Sequence, residues 1–210
     1  LDPEGWHAFQ NGASVLHLPT GKSLSAEIPR AVITRLIARA KDTARLLELY
    51  SDMEYAVEKD CDRARRHTQL LGIPYAPRPF QSLTNPIVRA QWLVDNTPAA
   101  VQEVLREAHD ELEMSPSTSP VMPDTIFVNM TPRGTSKASA VRDIAAEYKL
   151  PLSSVMVIGD GENDIGAMRL AGHSVAMGNA EPAVLAVARH RVGHVDDGGL
   201  LQALAMALRD

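Results

Sequence analysis

Asp160 and Asp164 stand four residues apart, directly after the apolar run Val155-Met156-Val157-Ile158, with Gly159 and Gly161 around the first and Asn163 between them. An apolar run that stops at a cluster of small and acidic residues reads as a buried strand delivering carboxylates to its C-terminal end. In open parallel α/β sheets that end is where ligands bind, because loops converge there and helix N-termini point their amides outward. The residue types suit a hard cation that holds a phosphate. Magnesium takes oxygen ligands and is usually held by one or two carboxylates plus the phosphate oxygens of the substrate. Asp160 is the natural direct ligand, with Asp164 as a second carboxylate. Gly159 and Gly161 let the backbone turn tightly, and Asn163 can donate an amide hydrogen bond to a phosphate oxygen, which an ionised aspartate cannot.

Two further positions carry chemistry. Lys137 falls at the start of a predicted helix, Ser136 to Tyr148, where a cation is disfavoured by the helix dipole unless an anion lies nearby. A bound phosphate would supply that anion. Asn11-Gly12 is a common turn pair, for which a structural role and a substrate contact are both open. Asp160 and Asp164 could also serve only as caps of the next helix, where Asp and Asn are favoured.

These residues need a scaffold. Strand and helix patterns alternate without repeats or low-complexity tracts, which implies an α/β fold. Ser14 to Leu18 reads as a strand, Ile28 to Leu47 as a long helix and Leu49 to Val57 as a strand. A short helix over Arg63 to Leu71 is ended by Gly72 and Pro74. Ile87 to Val94 is a predicted strand, and Asn96-Thr97-Pro98 starts a helix running through Glu111. Ser115 to Pro123, rich in Ser, Thr and Pro, marks a connection. Thr125 to Met130 is a strand, and from Leu152 strand and helix alternate in short parallel steps. The expected architecture is an incomplete doubly wound, Rossmann-like parallel-sheet core, residues 1–18 with 125–210, carrying an inserted α/β cap over 19–124.

Composition narrows the classes. The 210 residues are 45% hydrophobic, enough for a sizeable core in one domain or two modest ones. A net charge of -5 argues against a nucleic-acid surface, and the basic residues from Arg30 to Arg66 are interleaved with acids. The single cysteine, Cys61, excludes an internal disulfide and a cysteine-rich zinc site, so a reducing cytoplasm is the expected compartment. No apolar run nears 18 residues, so no membrane partner is expected. Thr20-Gly21-Lys22-Ser23 ends like a nucleotide-binding loop, yet Leu16 stands where its first glycine should be. His190 and His194 lack a surrounding ligand set for zinc.

The segment from Gly159 to Asp164 resembles the fourth motif of the haloacid dehalogenase superfamily. Ile165-Gly166-Ala167-Met168 and Ala171 to Ala180 look like its Cof-like subgroup of cytoplasmic sugar-phosphate phosphatases. Gly134-Thr135-Ser136-Lys137 sits where that family carries its third motif, Asp196-Asp197-Gly198-Gly199-Leu200 resembles its closing turn, and Asn11-Gly12-Ala13 resembles the turn that precedes its cap. The resemblance implies a phosphomonoester hydrolase for small phosphorylated metabolites, with Mg2+ as cofactor. Lys137, Asp160 and Asp164 would be its catalytic residues. Lys137, Asn163 and Asn11 would contact the substrate, Asp160 would hold the metal, and Asp164 would hold Lys137 or a metal-bound water. The cap would close over the site and choose the substrate.

The family's nucleophile lies in a first motif, Asp-x-Asp-Gly-Thr, ahead of Asn-Gly-Ala. That motif is not among the 210 residues. Asp2-Pro3-Glu4-Gly5 has no apolar strand before it and Glu in place of the second Asp, and Asp60-Cys61-Asp62 lies in a charged helical stretch. A strand-helix-strand unit of roughly 30 residues or more is therefore expected upstream. Two other classes share parts of the pattern. The phosphorylation domain of a cation-pumping ATPase needs an Asp-Lys-Thr-Gly-Thr segment, which is not present, and a non-catalytic binding protein on the same fold needs no nucleophile.

The 210-residue chain is expected to leave p-nitrophenyl phosphate unhydrolysed, and addition of a native first-motif segment is expected to give Mg2+-dependent turnover. Turnover by the bare chain that an Asp160→Ala control abolishes would show that the nucleophile has been placed wrongly.

Overall fold

The computed structural model describes residues 2–107 and 109–208; Leu1, Ala108, Arg209 and Asp210 lie outside the described residues. The chain divides into two compact units, Leu1–Leu24 with Thr135–Asp210, and Ser25–Gly134. The expected boundaries at 18/19 and 124/125 differ from these: Lys22–Ser23 pairs with Ser14–His17 and stays with the first unit, and Thr125–Pro132 belongs to the sheet of the second.

The first unit opens with strands β1 (Trp6–Phe9), β2 (Ser14–His17) and β3 (Lys22–Ser23), which form a small antiparallel sheet in that order. β1 pairs with β2 from Trp6 opposite His17 to Phe9 opposite Ser14. The connection between them passes through Gln10, Asn11 and Gly12, all at positive φ (53°, 55° and 93°). Asn and Gly tolerate this left-handed region; Gln10 does so at a steric cost.

The second unit runs α1 (Arg30–Thr43), β4 (Leu46–Ser51), β5 (Tyr55–Val57), α2 (Asp62–Leu71), β6 (Ile87–Asp95), α3 (Pro98–Arg106), β7 (Leu112–Thr118) and β8 (Thr125–Pro132). Its five strands form one antiparallel sheet in the order β5-β4-β6-β8-β7. Both faces are covered. Val32 and Leu36 of α1 and Val104 of α3 pack with Leu47, Leu49, Ala90, Trp92, Val94, Val128 and Met130 on one side. Ala64 of α2 packs with Leu46, Val57, Leu93 and Phe127 on the other. Successive side chains of a strand alternate between faces, so a strand covered on both reads as a continuous apolar run. Thr125 to Met130 has that appearance and was expected in the parallel core; it is the fourth strand of this antiparallel sheet.

Three element boundaries differ from expectation. The helix expected through Leu47 ends at Thr43, where Ala44 turns left-handed at φ 52°, and Leu46 onward enters the sheet. The single strand expected over Leu49 to Val57 is a hairpin, because Ser51 folds back to accept two amide hydrogen bonds, from Met53 and Glu54. The helix expected through Glu111 ends at Arg106, and part of the expected connection is the edge strand β7. Pro116 sits in that edge strand, where its missing N–H disrupts no inner ladder.

Between the sheet and α2 lies a sealed polar cluster. Glu48 is fully buried and accepts from Tyr50 at 2.6 Å, Tyr55 at 2.7 Å and His67 Nδ1 at 2.8 Å. Burial, followed by the negative charge of Glu48, pushes both tyrosine hydroxyls above their ordinary value.

The chain then returns to the first unit with α4 (Lys137–Glu147), β9 (Met156–Gly159), α5 (Ile165–Leu170), β10 (His173–Ala176), α6 (Pro182–Val187), β11 (His190–Arg191) and α7 (Gly199–Ala207). β9, β10 and β11 are parallel, in the order β11-β10-β9, as the alternation from Leu152 predicts. Met168 of α5 and Val184 of α6 pack with Ala176 of β10 and Ala180. No helix among the described residues is long and apolar enough to cross a membrane.

Three carboxylates of the second unit sit near pH 2. Glu54 is held down by the Asn85 amide and side chain, to about 2. Burial would raise Glu107, but hydrogen bonds from Arg39 and Arg45 outweigh it and bring it to about 2, and Arg66 brings Asp124 to about 2. A carboxylate whose folded value is depressed contributes stability above its unfolded value and loses it as pH falls toward the folded one. The second unit is therefore expected to hold its stability down to about pH 5 and lose it progressively from about 4.5 to 2. In a Trp6→Phe variant, Trp92 fluorescence reports on this unit alone. An acid profile that is unchanged by the Glu54→Gln and Glu107→Gln substitutions together would contradict the assignment.

Candidate active site

Four of the five residues singled out from the sequence form a connected polar chain in the first unit. Ser136 caps α4. Its hydroxyl accepts from the Ser139 amide at 3.2 Å, and the Ser139 hydroxyl accepts from the Ser136 amide at 2.9 Å, a reciprocal capping box. This fixes the first turn of α4 and with it Lys137. The Lys137 ammonium donates to Asp164 Oδ1 at 2.5 Å and to Asn163 Oδ1 at 3.2 Å. A cation at a helix N-terminus is thus tolerated because a carboxylate faces it.

Asp164 is buried and uses both oxygens. Oδ2 accepts from the amides of Asp160 at 3.1 Å and Gly161 at 3.2 Å, which are the amides that point out beyond the end of β9. For this the Asp164 side chain must fold back over the strand end. Gly159 makes room: a Cβ there would meet the Asp164 side chain at 2.6 Å. The sequence suggests that the glycines permit a tight turn; the structure adds that Gly159 is the floor on which the second carboxylate rests.

Asn163 is oriented by Lys137. Because its Oδ1 accepts from the lysine, its Nδ2 is the end that faces outward, where it donates to Asn11 Oδ1 at 3.4 Å. That bond is long, and a stronger acceptor such as a phosphate oxygen would compete for the same N–H. Asn11 reaches this point through its left-handed turn. Gly12 seats the turn against α4, since a Cβ at Gly12 would lie 2.2 Å from the Ser136 carbonyl oxygen.

Asp160 stands differently. Its backbone is tied on both sides, its amide to Asp164 and its carbonyl to the Glu181 amide at 2.9 Å, while its side chain is exposed. Oδ2 accepts from Asn179 Nδ2 at 3.0 Å. With Asp164 engaged by Lys137 and two amides, Asp160 is the carboxylate left open to a cation. Among the described residues no group of three or more His, Cys, Asp or Glu gathers as a metal cage. An open carboxylate of this kind suits magnesium, which commonly takes few protein ligands and completes its shell with phosphate oxygens and water.

Sequence reasoning missed Asn179. It follows Gly178, so by residue type it reads as an ordinary turn, and only its distance to Asp160 distinguishes it. The Thr20 to Ser23 segment forms a turn and the short strand β3, and His194 Nδ1 lies 3.3 Å from Asp196.

A family model of haloacid dehalogenase-like hydrolases matches residues 7–204. The chain is 29% identical over 211 aligned positions to the 5-amino-6-(5-phospho-D-ribitylamino)uracil phosphatase YbjI of Escherichia coli (strain K12), covering 98% of this chain and 72% of that protein. It is 33% identical over 107 positions to the 5-amino-6-(5-phospho-D-ribitylamino)uracil phosphatase YcsE of Bacillus subtilis (strain 168), covering 51% of this chain and 40% of that one. Among solved structures, BT1666 from Bacteroides thetaiotaomicron, a phosphatase of the haloalkanoate superfamily, superposes with a TM-score of 0.73 at 25% identity, over 94% of this chain and 71% of that one. With the match running through every site residue from Asn11 to Asn179, the chain belongs to the haloacid dehalogenase-like hydrolases, in the Cof-like branch that its motifs resemble.

Proposed function

We infer that this protein is a Mg2+-dependent phosphomonoester hydrolase acting on small phosphorylated metabolites, sugar phosphates and sugar-alcohol phosphates foremost. The observation that carries the reading is the Lys137 ammonium, pinned at a helix N-terminus by Asp164 and Asn163, with the exposed Asp160 joined through its amide to the same Asp164. Lysine, outward amide and open carboxylate together suit a phosphoryl group with its counter-cation, and a carboxylic or neutral substrate would leave part of the set unused. The two relatives from Escherichia coli and Bacillus subtilis are phosphatases whose named substrate bears a phosphate on a ribityl chain, which supports an ester on a polyhydroxy carbon skeleton.

In this reading Lys137 donates to a phosphoryl oxygen and offsets charge that develops as the ester bond breaks. Asp164 keeps the ammonium in place by holding it from the buried side. Asn163 directs its Nδ2 hydrogen at a second phosphoryl oxygen, its orientation fixed by the lysine bond, and Asn11 borders the same N–H. Asp160 holds magnesium, which when bound supplies Lewis-acid neutralisation of the phosphate oxygens. The family resemblance assigns the attack to a first-motif aspartate, giving a phosphoaspartyl intermediate that water then hydrolyses; this replaces one difficult step by two easier ones.

Hydrolysis of p-nitrophenyl phosphate, with the first-motif segment supplied, tests the reading. Lys137→Ala is expected to lower kcat/KM by about 100-fold, or roughly 2.7 kcal/mol of transition-state stabilisation, as for a charge-stabilising donor. A loss below about threefold would make Lys137 an ordinary surface residue and remove the basis of the proposal.

A further inference from the structure

We propose that Asn179 is a positioning residue that holds the Asp160 carboxylate in the orientation that receives the cation. The inference rests on the reading of Asp160 as a magnesium ligand and adds what aims it. Asp160 is exposed, and an exposed aspartate side chain has rotamers to choose from. Its backbone ties to Asp164 and Glu181 fix where the residue starts but not where the carboxylate points. The hydrogen bond from Asn179 Nδ2 to Oδ2, at 3.0 Å, supplies that missing constraint. It occupies one carboxylate oxygen with a neutral donor and leaves the other to a cation.

Asn179 can do this only if its amide presents nitrogen and not oxygen to the aspartate. An oxygen facing the carboxylate would repel it. The Val195 amide settles the orientation by donating to Asn179 Oδ1 at 3.2 Å, so that Nδ2 must be the end turned toward Asp160. The loop carrying Val195 is in turn locked to the turn carrying Asn179. Gly178 donates to the Gly193 carbonyl at 2.9 Å, and a Cβ at Gly178 would meet Gly193 and His194 backbone atoms at 2.6 Å. On the far side a Cβ at Gly199 would lie 2.0 Å from the Gly193 carbonyl oxygen. Gly178, Gly193 and Gly199 thus bring three backbone segments into direct contact. A relay runs from this packed backbone through Val195 N–H and the Asn179 amide to the carboxylate.

Groups that orient a ligating carboxylate typically change metal affinity by about 10- to 100-fold when removed. The test is calorimetric titration of Mg2+ into the 210-residue chain in excess inorganic phosphate, whose oxygens complete the metal's shell, alongside thermal unfolding without metal; a wild-type chain that takes up no Mg2+ under these conditions would overturn the metal assignment and the proposal with it. Asn179→Ala is expected to weaken Mg2+ binding at least about tenfold while leaving the metal-free Tm within a few degrees of wild type. Val195→Pro removes only the N–H that orients Asn179. His194 before it is extended at ψ 154°, and Val195 opens a helical turn, so proline fits there. This variant is expected to weaken Mg2+ binding in the same direction by a smaller factor. Asp160→Asn separates the two readings. If it abolishes binding while Asn179→Ala does not change it, the positioning role is overturned and the metal site stands. If Asp160→Asn leaves binding intact, the metal assignment itself falls. A fall in Tm with unchanged Mg2+ affinity would make Asn179 purely structural and overturn the proposal.

Discussion

The arrangement of the site depends on one carboxylate with two faces. Asp164 gives one oxygen to the Lys137 ammonium and the other to the two amides at the end of β9. This anion meets both sets of donors, for separate reasons: the lysine because it stands at the positive end of a helix, the amides because they leave the sheet at the end of β9 and take the carboxylate as their acceptor. One side chain answers both requirements. The remaining features follow from it: Gly159 must lack a side chain, Asn163 must turn its nitrogen outward, and Asp160, relieved of these duties, remains exposed.

The second unit buries a carboxylate as well, and the contrast is informative. Glu48 is wholly enclosed, with tyrosine, histidine and glutamine side chains about it, and of these partners only Tyr55 is partly open. Breaking such a cluster from one side would strand a buried charge, at a cost of about 3–5 kcal/mol. Lys137, by comparison, keeps 39% of its side chain exposed while Asp164 keeps 10%. The inner partner is fixed and the outer one can meet a ligand. The two carboxylates thus differ in how far their cationic or hydroxyl partners are open to solvent.

The site was legible in sequence where residue type alone demanded an explanation. A lysine at a helix start, and carboxylates clustered after an apolar strand, are each unfavourable unless something meets them. Asn179 was not legible, because an asparagine after a glycine is common in turns and its meaning lies in a partner 19 residues away. In the fold, the buried strands and amphipathic helices were found, but their sheet was misassigned for β8, since helices on both faces of an antiparallel sheet erase the alternation that normally marks it. From Ser115 on, β7 reads as a connection because exposed Ser, Thr and Pro carry no apolar signal.

The division of the chain into a continuous inner unit and a two-part outer one sets an order on how the molecule is made. Residues 25–134 emerge from the ribosome as an unbroken segment with their own core, and they can fold while the remainder is still being synthesised. At about 5–20 residues per second, residues 135–210 arrive over roughly 4–15 s. During that interval β1 and the turn after it lack α4, which they contact in the folded unit. Asn11 must then find Asn163 across 152 residues of chain, most of it already compact. A folded insert of residues 25–134 replaces a flexible stretch of the same length in the loop that this closure has to span, which lowers the entropic cost of the closure.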